Sequence, residues 1–180
     1  MNSVAEKVVF VDRDGVLNKK APSDEYVRNW DEFQLIPDAV PSVARLNEAG
    51  FRVFVVTNQR GIARGRVRLP DLEEIHERLR DRFETEGAHL SGIYYCPHDY
   101  EDRCECRKPK PGMLLRAARD NGFQCTSCWM IGDSDSDIEA GRRAGCRTVR
   151  INPNGSESHV EADFTAPNLP VAVQFIIENT

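Results

Sequence analysis

The sequence predicts an α/β protein: a mostly parallel sheet with helices on both faces, closed over by loops. Two observations carry this. Short apolar runs rich in Val, Ile and Phe alternate along the chain with longer stretches whose apolar residues recur at helical spacing. Several of those apolar runs also stop abruptly at polar residues able to do chemistry. In open parallel sheets the carboxyl ends of the strands form one edge, and ligands bind there.

Taken in order, Val8-Val9-Phe10-Val11 reads as a buried strand that ends at Asp12-Arg13-Asp14-Gly15. Residues 19–36 show no sustained period and read as a long loop over the site, a kind of segment that is often functional. Residues 38–48, with Val40, Val43, Ala44 and Leu46 on one side and Gly50 beyond, form a helix. A second strand, 51–56, stops at Thr57-Asn58-Gln59, and a basic, glycine-punctuated loop follows from Arg60 to Arg66. An amphipathic helix over 70–86 carries Leu72, Ile75, Leu79 and Phe83 as core, with His76 as a structural neighbour. Residues 92–95 make a short strand leading into a cysteine-rich loop that ends at Arg107. Pro111 suits the first turn of a helix closing at Gly122. A strand over 127–131, a helix over 135–143 and a strand over 146–151 complete the regular alternation. The Pro-, Asn-, Gly- and Ser-rich stretch 152–170 should hold loops and a peripheral strand near Phe164, with a short terminal helix over 171–177.

Bulk properties narrow the function. The 180 residues suffice for one domain with a sizeable core, and a single domain over 1–180 is expected. A net charge of −5 argues against general binding to nucleic acid or anionic membranes, which needs a basic surface. No apolar run approaches the roughly 20 residues that span a bilayer, and residues 1–7 carry no signal-peptide hydrophobic stretch. A cytosolic monomer is the expectation, with its six cysteines reduced.

Three predicted strand ends carry reactive groups: Asp12 and Asp14, then Thr57 and Asn58, then Asp133. Parallel pairing brings these ends together from distant parts of the chain. Asp12 and Asp14 can divide labour as nucleophile and general acid/base if a cation offsets their repulsion, which at about 4 Å costs roughly 4 kcal/mol at an effective dielectric near 20. A hard divalent ion with oxygen ligands does this, and Asp133 can add an oxygen. In Gly132-Asp133-Ser134-Asp135-Ser136-Asp137, capping of a helix start accounts for Asp135 and Ser136, with Asp137 as support behind the metal aspartate. Arg107 and Lys108 supply positive charge for a phosphoryl group beside Asp12. Cys96, His98, Cys104 and Cys106 supply three thiolates and an imidazole within one loop, a closed tetrahedral donor set that suits structural zinc. Cys106 abuts Arg107, so the metal would fix the loop that presents Arg107 and Lys108. Cys125 and Cys128 lack a second pair or a nearby histidine and read as buried thiols.

These residues resemble the haloacid-dehalogenase-like phosphatase superfamily, a Rossmann-like fold. Asp12-x-Asp14-Gly15, Thr57, Lys108 and Gly132-Asp133-x-x-x-Asp137 match its four motifs in order. Thr-Asn-Gln, Gly-Ile-Ala-Arg-Gly, Tyr-Tyr-Cys-Pro-His and Cys-Arg-Lys-Pro-x-Pro-Gly-Met are similar to its sugar-bisphosphate branch, the heptose 1,7-bisphosphate 7-phosphatases; histidinol-phosphate phosphatases share much of the pattern. The resemblance implies Asp12 as nucleophile, Asp14 as acid and then base, and Lys108 steadying Asp12 and the phosphoryl group. It implies Mg²⁺ on Asp12, Asp133 and the main-chain carbonyl of Asp14, with Zn²⁺ in the loop. Substrate, a small phosphorylated sugar, is expected on Arg13, Thr57, Asn58, Gln59, Arg60, Arg107 and Lys108. Arg60 stands where a small serine is common in the family, and Ser134 where a lysine often follows the metal aspartate. Little chain is left for a separate cap domain. Apart from the family, an acid beside the nucleophile favours phosphoester hydrolysis over dehalogenation, because an alkoxide needs a proton to leave and a halide does not. The competing class is a catalytically silent zinc-bearing binding module.

Overall fold

The structure, a computed structural model, describes residues 6–23 and 25–180. The expectation that the chain starts without a signal-peptide stretch rests mainly on residues 1–5, outside the described residues. Six strands, β1 (Val8–Val11), β2 (Arg52–Asn58), β3 (Gly92–Cys96), β4 (Cys128–Gly132), β5 (Arg147–Ile151) and β6 (Phe164–Ala166), lie in the order β3-β2-β1-β4-β5-β6. All five pairings are parallel, so among the described strands the sheet is wholly rather than mostly parallel.

Period-two alternation sorts the central strands between two cores. Val9, Val11, Val53, Val55, Trp129 and Ile131 face α1 (Ala39–Glu48), α2 (Leu69–Thr85) and α5 (Leu169–Glu178). Val8, Phe10, Phe54, Val56, Cys128 and Met130 face α3 (Gly112–Asn121) and α4 (Asp135–Ala144). A strand covered on both sides must be apolar at every position, which is why β1 reads as an unbroken run. Each Val, Ile, Phe or Met among them contributes about 1.5–3 kcal/mol by leaving water.

Helix ends follow the sequence signals. Gly122 and Gly145 take left-handed conformations just past α3 and α4, and the Asn168 side chain accepts from the Val171 N–H to cap α5. The loop 19–36 holds one 3-10 turn, Trp30–Glu32, and is pinned at both ends by main-chain bonds from Lys19 to Gln34 and from Ile36 to Leu17. The longest connection, 12–38, contains no separate cap domain among its described residues. None of the described helices is long and apolar enough to cross a membrane.

Two boundaries differ from the sequence expectation in a way that matters. β2 continues through Thr57 and Asn58, which pair with Tyr95 and Cys96, and β3 continues into Cys96. Their polarity suggested loop, yet the ladder persists because Gln59 still donates to the Cys96 carbonyl at 2.8 Å. The chain leaves β1 toward β2 and β3 on one side and takes up β4, β5 and β6 on the other. The strand order therefore reverses at β1 and β4, and the crevice at their carboxyl ends is the expected place for a ligand.

Candidate active site

The crevice is built on a tight turn. The Arg13 carbonyl accepts main-chain bonds from Leu17 at 2.9 Å and Asn18 at 3.0 Å, folding residues 13–18 back immediately after β1. Gly15 is the residue that permits it. Its φ is +98°, and a Cβ there would lie 2.3 Å from Oδ2 of Asp133, so no other side chain fits between the β1 and β4 ends.

Lys108 sits at the centre. It is 3% exposed, and its ammonium donates to Asp12 Oδ1 at 2.7 Å and to the Val56 carbonyl at 2.7 Å, and pairs with Asp137 Oδ1 at 2.6 Å. Burial alone would lower Lys108, but Asp12 and Asp137 outweigh it and hold the ammonium above its ordinary value. Burial would raise Asp137, yet Lys108 and bonds from Ser134 keep it below the carboxylate range. Asp12 is the less favoured of the two acids: burial, then Asp137, push its carboxyl up to about 7 against the pull of Lys108. Asp137 also closes a capping box with Ser134 at the start of α4, accepting on Oδ2 from the Ser134 hydroxyl at 2.6 Å and N–H at 3.0 Å. The aspartate expected behind the site is thus both helix cap and lysine anchor. Asp135, expected as a cap, instead takes Arg150 at 2.6 Å.

Asp14 lies on the other side of the turn, facing donors on every hand. Arg13 Nη2 reaches both its oxygens at 3.1 Å, Asn18 donates at 2.9 Å and Gln59 at 2.8 Å, with the Thr57 hydroxyl at 3.4 Å. Burial would raise this carboxyl, but Arg13, then Asn18 and Gln59, hold it below the usual value.

Asp12, Asp133 and Asp137 offer oxygens within 4.8 Å of one another. Asp133 Oδ1 is buried without a hydrogen-bond partner, while Oδ2 takes the half-exposed Lys20 at 2.8 Å; burial, opposed by Lys20, raises its carboxyl. A partnerless buried oxygen beside a carboxylate pushed toward neutrality is what a hard cation would relieve, so the donor set fits Mg²⁺.

A second cluster lies at the end of β3. Cys96 Sγ is 3.6 Å from His98 Nδ1, 3.6 Å from Cys104 Sγ and 3.3 Å from Cys106 Sγ, and His98 Nδ1 is 3.2 Å from Cys106 Sγ. Tetrahedral ligands about 2.3 Å from zinc stand roughly 3.8 Å apart, so the four donors are close to that figure. Burial raises the Cys96 and Cys106 thiols, and holding both as thiolates takes a cation.

The structure places other expected residues differently. Arg13, expected on substrate, is 1% exposed and turned inward between Asp14, His76 and the Phe33 ring. Both its terminal nitrogens are taken by these neighbours, while its Nε is buried without a hydrogen-bond partner among the described residues. Asn58, expected on a phosphate, makes a two-way bond with the Lys108 main chain, its Oδ1 accepting from the N–H at 3.0 Å and its Nδ2 donating to the carbonyl at 3.1 Å. Gln59 is buried and spends its amide on Asp14 and Thr57. Arg107 and Arg60 both lie over the exposed Tyr100 ring, at 4.4 and 5.0 Å, and Arg107 donates to the His98 carbonyl at 3.2 Å. Lys20 and Asn18 are not among the expected site residues, and His76 is expected only as a structural neighbour in the core. Asn18 had a legible signal, four residues after Asp14 in a turn, but Lys20 and His76 reach the site only through the folding of distant segments. Cys125 and Cys128 are buried in the core under α3.

The chain is similar to known proteins over most of its length. A family model described as "HAD-hyrolase-like" matches residues 105–173. The chain is 43% identical over 148 residues, 82% of each sequence, to a D-glycero-beta-D-manno-heptose-1,7-bisphosphate 7-phosphatase of Pseudomonas aeruginosa. It is 38% identical over 138 residues to a probable D-glycero-D-manno-heptose-1,7-bisphosphate 7-phosphatase of Thermoplasma volcanium, covering 76% of this chain and 92% of that one. The crystal structure of a D,D-heptose 1,7-bisphosphate phosphatase from B. bronchiseptica, complexed with magnesium and phosphate, superposes with a TM-score of 0.86 at 30% identity, covering 97% of this chain and 99% of that one.

Proposed function

The chain belongs to the haloacid-dehalogenase-like hydrolases, and from that membership we propose that it removes the 7-phosphate of D-glycero-D-manno-heptose 1,7-bisphosphate through an aspartyl-phosphate on Asp12. The observation that carries the reading is the buried Lys108 ammonium on Asp12 at 2.7 Å, with Asp14 two residues further along the same turn and Thr57 and Asp133 drawn in from other strand ends.

Asp12 attacks phosphorus, and the Lys108 ammonium orients it and meets charge on the phosphoryl oxygens. Asp14 gives a proton to the sugar oxygen as the P–O bond breaks, then takes one from the water that hydrolyses the acyl phosphate. The donors around Asp14 favour the ionised form that this second step needs. A phosphoryl dianion entering the cleft raises its proton affinity toward what the first step needs. Asp12, Asp133 and the Asp14 main-chain carbonyl would hold Mg²⁺, which when bound lowers the charge repulsion between phosphoryl oxygens and carboxylates and polarises phosphorus. Cys96, His98, Cys104 and Cys106 would hold Zn²⁺ and stiffen the loop that leads into Arg107 and Lys108. Arg107 and Arg60, gathered on Tyr100, are the cations we assign to the sugar and its second phosphate.

The test is a phosphate-release screen with Mg²⁺ over both heptose bisphosphate anomers, histidinol phosphate and fructose 1,6-bisphosphate, with Asp12→Asn alongside. Preference for a heptose ester and loss of turnover in the folded variant are expected. Preference for histidinol phosphate would reassign the substrate, and substantial turnover in Asp12→Asn would remove Asp12 as nucleophile.

A further inference from the structure

Behind Asp14 lies a buried chain of polar groups that neither the motifs nor the phosphatase reading uses. Arg13 sends one terminal nitrogen, Nη2, to both Asp14 oxygens at 3.1 Å and the other, Nη1, to Nε2 of His76 at 3.1 Å. Arg13 is 1% exposed and His76 6% exposed, on α2, with its ring tilted against Tyr95 of β3 at 5.5 Å between centroids. A guanidinium has only donors, so Nε2 must be the acceptor and the ring is neutral with its proton on Nδ1. Burial, then the Arg13 charge, push His76 down to about 3, which keeps it an acceptor. The Asp14 carboxylate is therefore gripped from its inner side by a planar fork that is itself aligned by a histidine on a distant helix.

We propose that Arg13 and His76 are positioning residues for the proton transfers of Asp14, acting from behind the carboxylate rather than on the substrate. A carboxyl two positions from the nucleophile, on a turn with a glycine at its next residue, has several rotamers open to it. Only one of them serves both the leaving oxygen and the later water. Asn18, Gln59 and Thr57 approach Asp14 from the side, and each is a neutral donor. Among the described donors to Asp14, Arg13 carries the full charge, and His76 keeps its plane from rotating. The inference rests on the phosphatase reading of Asp12 and Asp14.

The experiment exploits leaving groups. The heptose bisphosphate needs a proton on its leaving oxygen, whereas p-nitrophenolate departs without one, so loss of Asp14 alignment must slow the first and spare the second. Single-turnover cleavage of the heptose ester and the burst of p-nitrophenolate from p-nitrophenyl phosphate are measured with Mg²⁺ for the wild type, His76→Phe, His76→Gln and Arg13→Lys. For His76→Phe, a fall on the order of tenfold or more is expected on the heptose ester, with a burst rate within about twofold of wild type. His76→Gln, which keeps an acceptor near Nε2, should regain most of the lost rate. Arg13→Lys, which keeps the charge but cannot bridge both partners, should behave like His76→Phe and carries the test if that variant does not fold. Equal losses on both esters, or no loss on either, overturn the proposal. Turnover by an Asp12→Asn control, or a wild type inactive on the heptose ester, would instead strike the function reading; in the latter case the comparison runs on the alkyl phosphate that the screen selects.

Discussion

Replacing Lys108 with methionine tests the centre of the site most directly. The substitution keeps an unbranched side chain in the channel between Val56, Asp12 and Asp137 but removes the charge that pairs both acids at 2.7 and 2.6 Å. Breaking a buried pair by removing one partner costs about 3–5 kcal/mol. For a chain of this size each kcal/mol lowers the melting point by roughly 2–4 °C, so a fall of about 6–20 °C is expected. The loss should be larger at pH 8 than at pH 6. Asp12, already up at about 7 with the ammonium present, goes higher without it, and once protonated it is no longer an unpaired charge. Urea unfolding without added magnesium at both pH values reads this. Adding Asp137→Asn to Lys108→Met removes one of the two stranded charges and should recover stability, with a coupling energy of about 1 kcal/mol or more in the double-mutant cycle. A Lys108→Met protein within about 0.5 kcal/mol of wild type, the range of ordinary surface changes, would refute the idea that this ammonium holds two buried carboxylates.

His76 gives a pH signature. Its folded value of about 3 lies below the ordinary 6.5, through burial and then Arg13 and Arg80, with Asp14 opposing, so the unfolded chain takes up the proton first. Its contribution is complete above pH 6.5 and is lost as pH falls, by about 2 kcal/mol at pH 5 at roughly 1.4 kcal/mol per unit; equal urea midpoints shifts for wild type and His76→Gln between pH 7 and 5 would contradict this. Gly15→Ala should abolish turnover, since a left-handed φ and a Cβ 2.3 Å from the Asp133 carboxylate both oppose it; wild-type rates would show that the Asp133 position is not critical. Metal analysis should find about one zinc per chain, and Cys106→Ser should lose it together with most turnover; a fully active protein free of zinc would remove the loop's structural role.

Much of this protein is legible without coordinates. The unbroken apolar runs at Val8–Val11 and Cys128–Gly132 mark strands because a strand buried on both faces tolerates no polar residue, and Gly122 and Gly145 mark helix ends because only glycine takes that backbone freely. The acids at 12, 14 and 133, Lys108 and the Cys/His set are likewise readable, since each stands where an apolar run breaks or clusters within one loop. What the linear order hides is direction. Arg13 lies between two candidate catalytic aspartates and reads as a group for substrate, yet His76 of α2 and Phe33 of the 19–36 loop hold it inward. His76 reads as one more residue on a packed helix face, and it reaches Asp14 through Arg13 only because β2 and α2 carry it across. Spacing along the chain specifies which residues a fold brings to one edge of a sheet; which way a buried charge points is settled by where the other buried polar groups are, and for Arg13 one of them, His76, comes from 63 residues away.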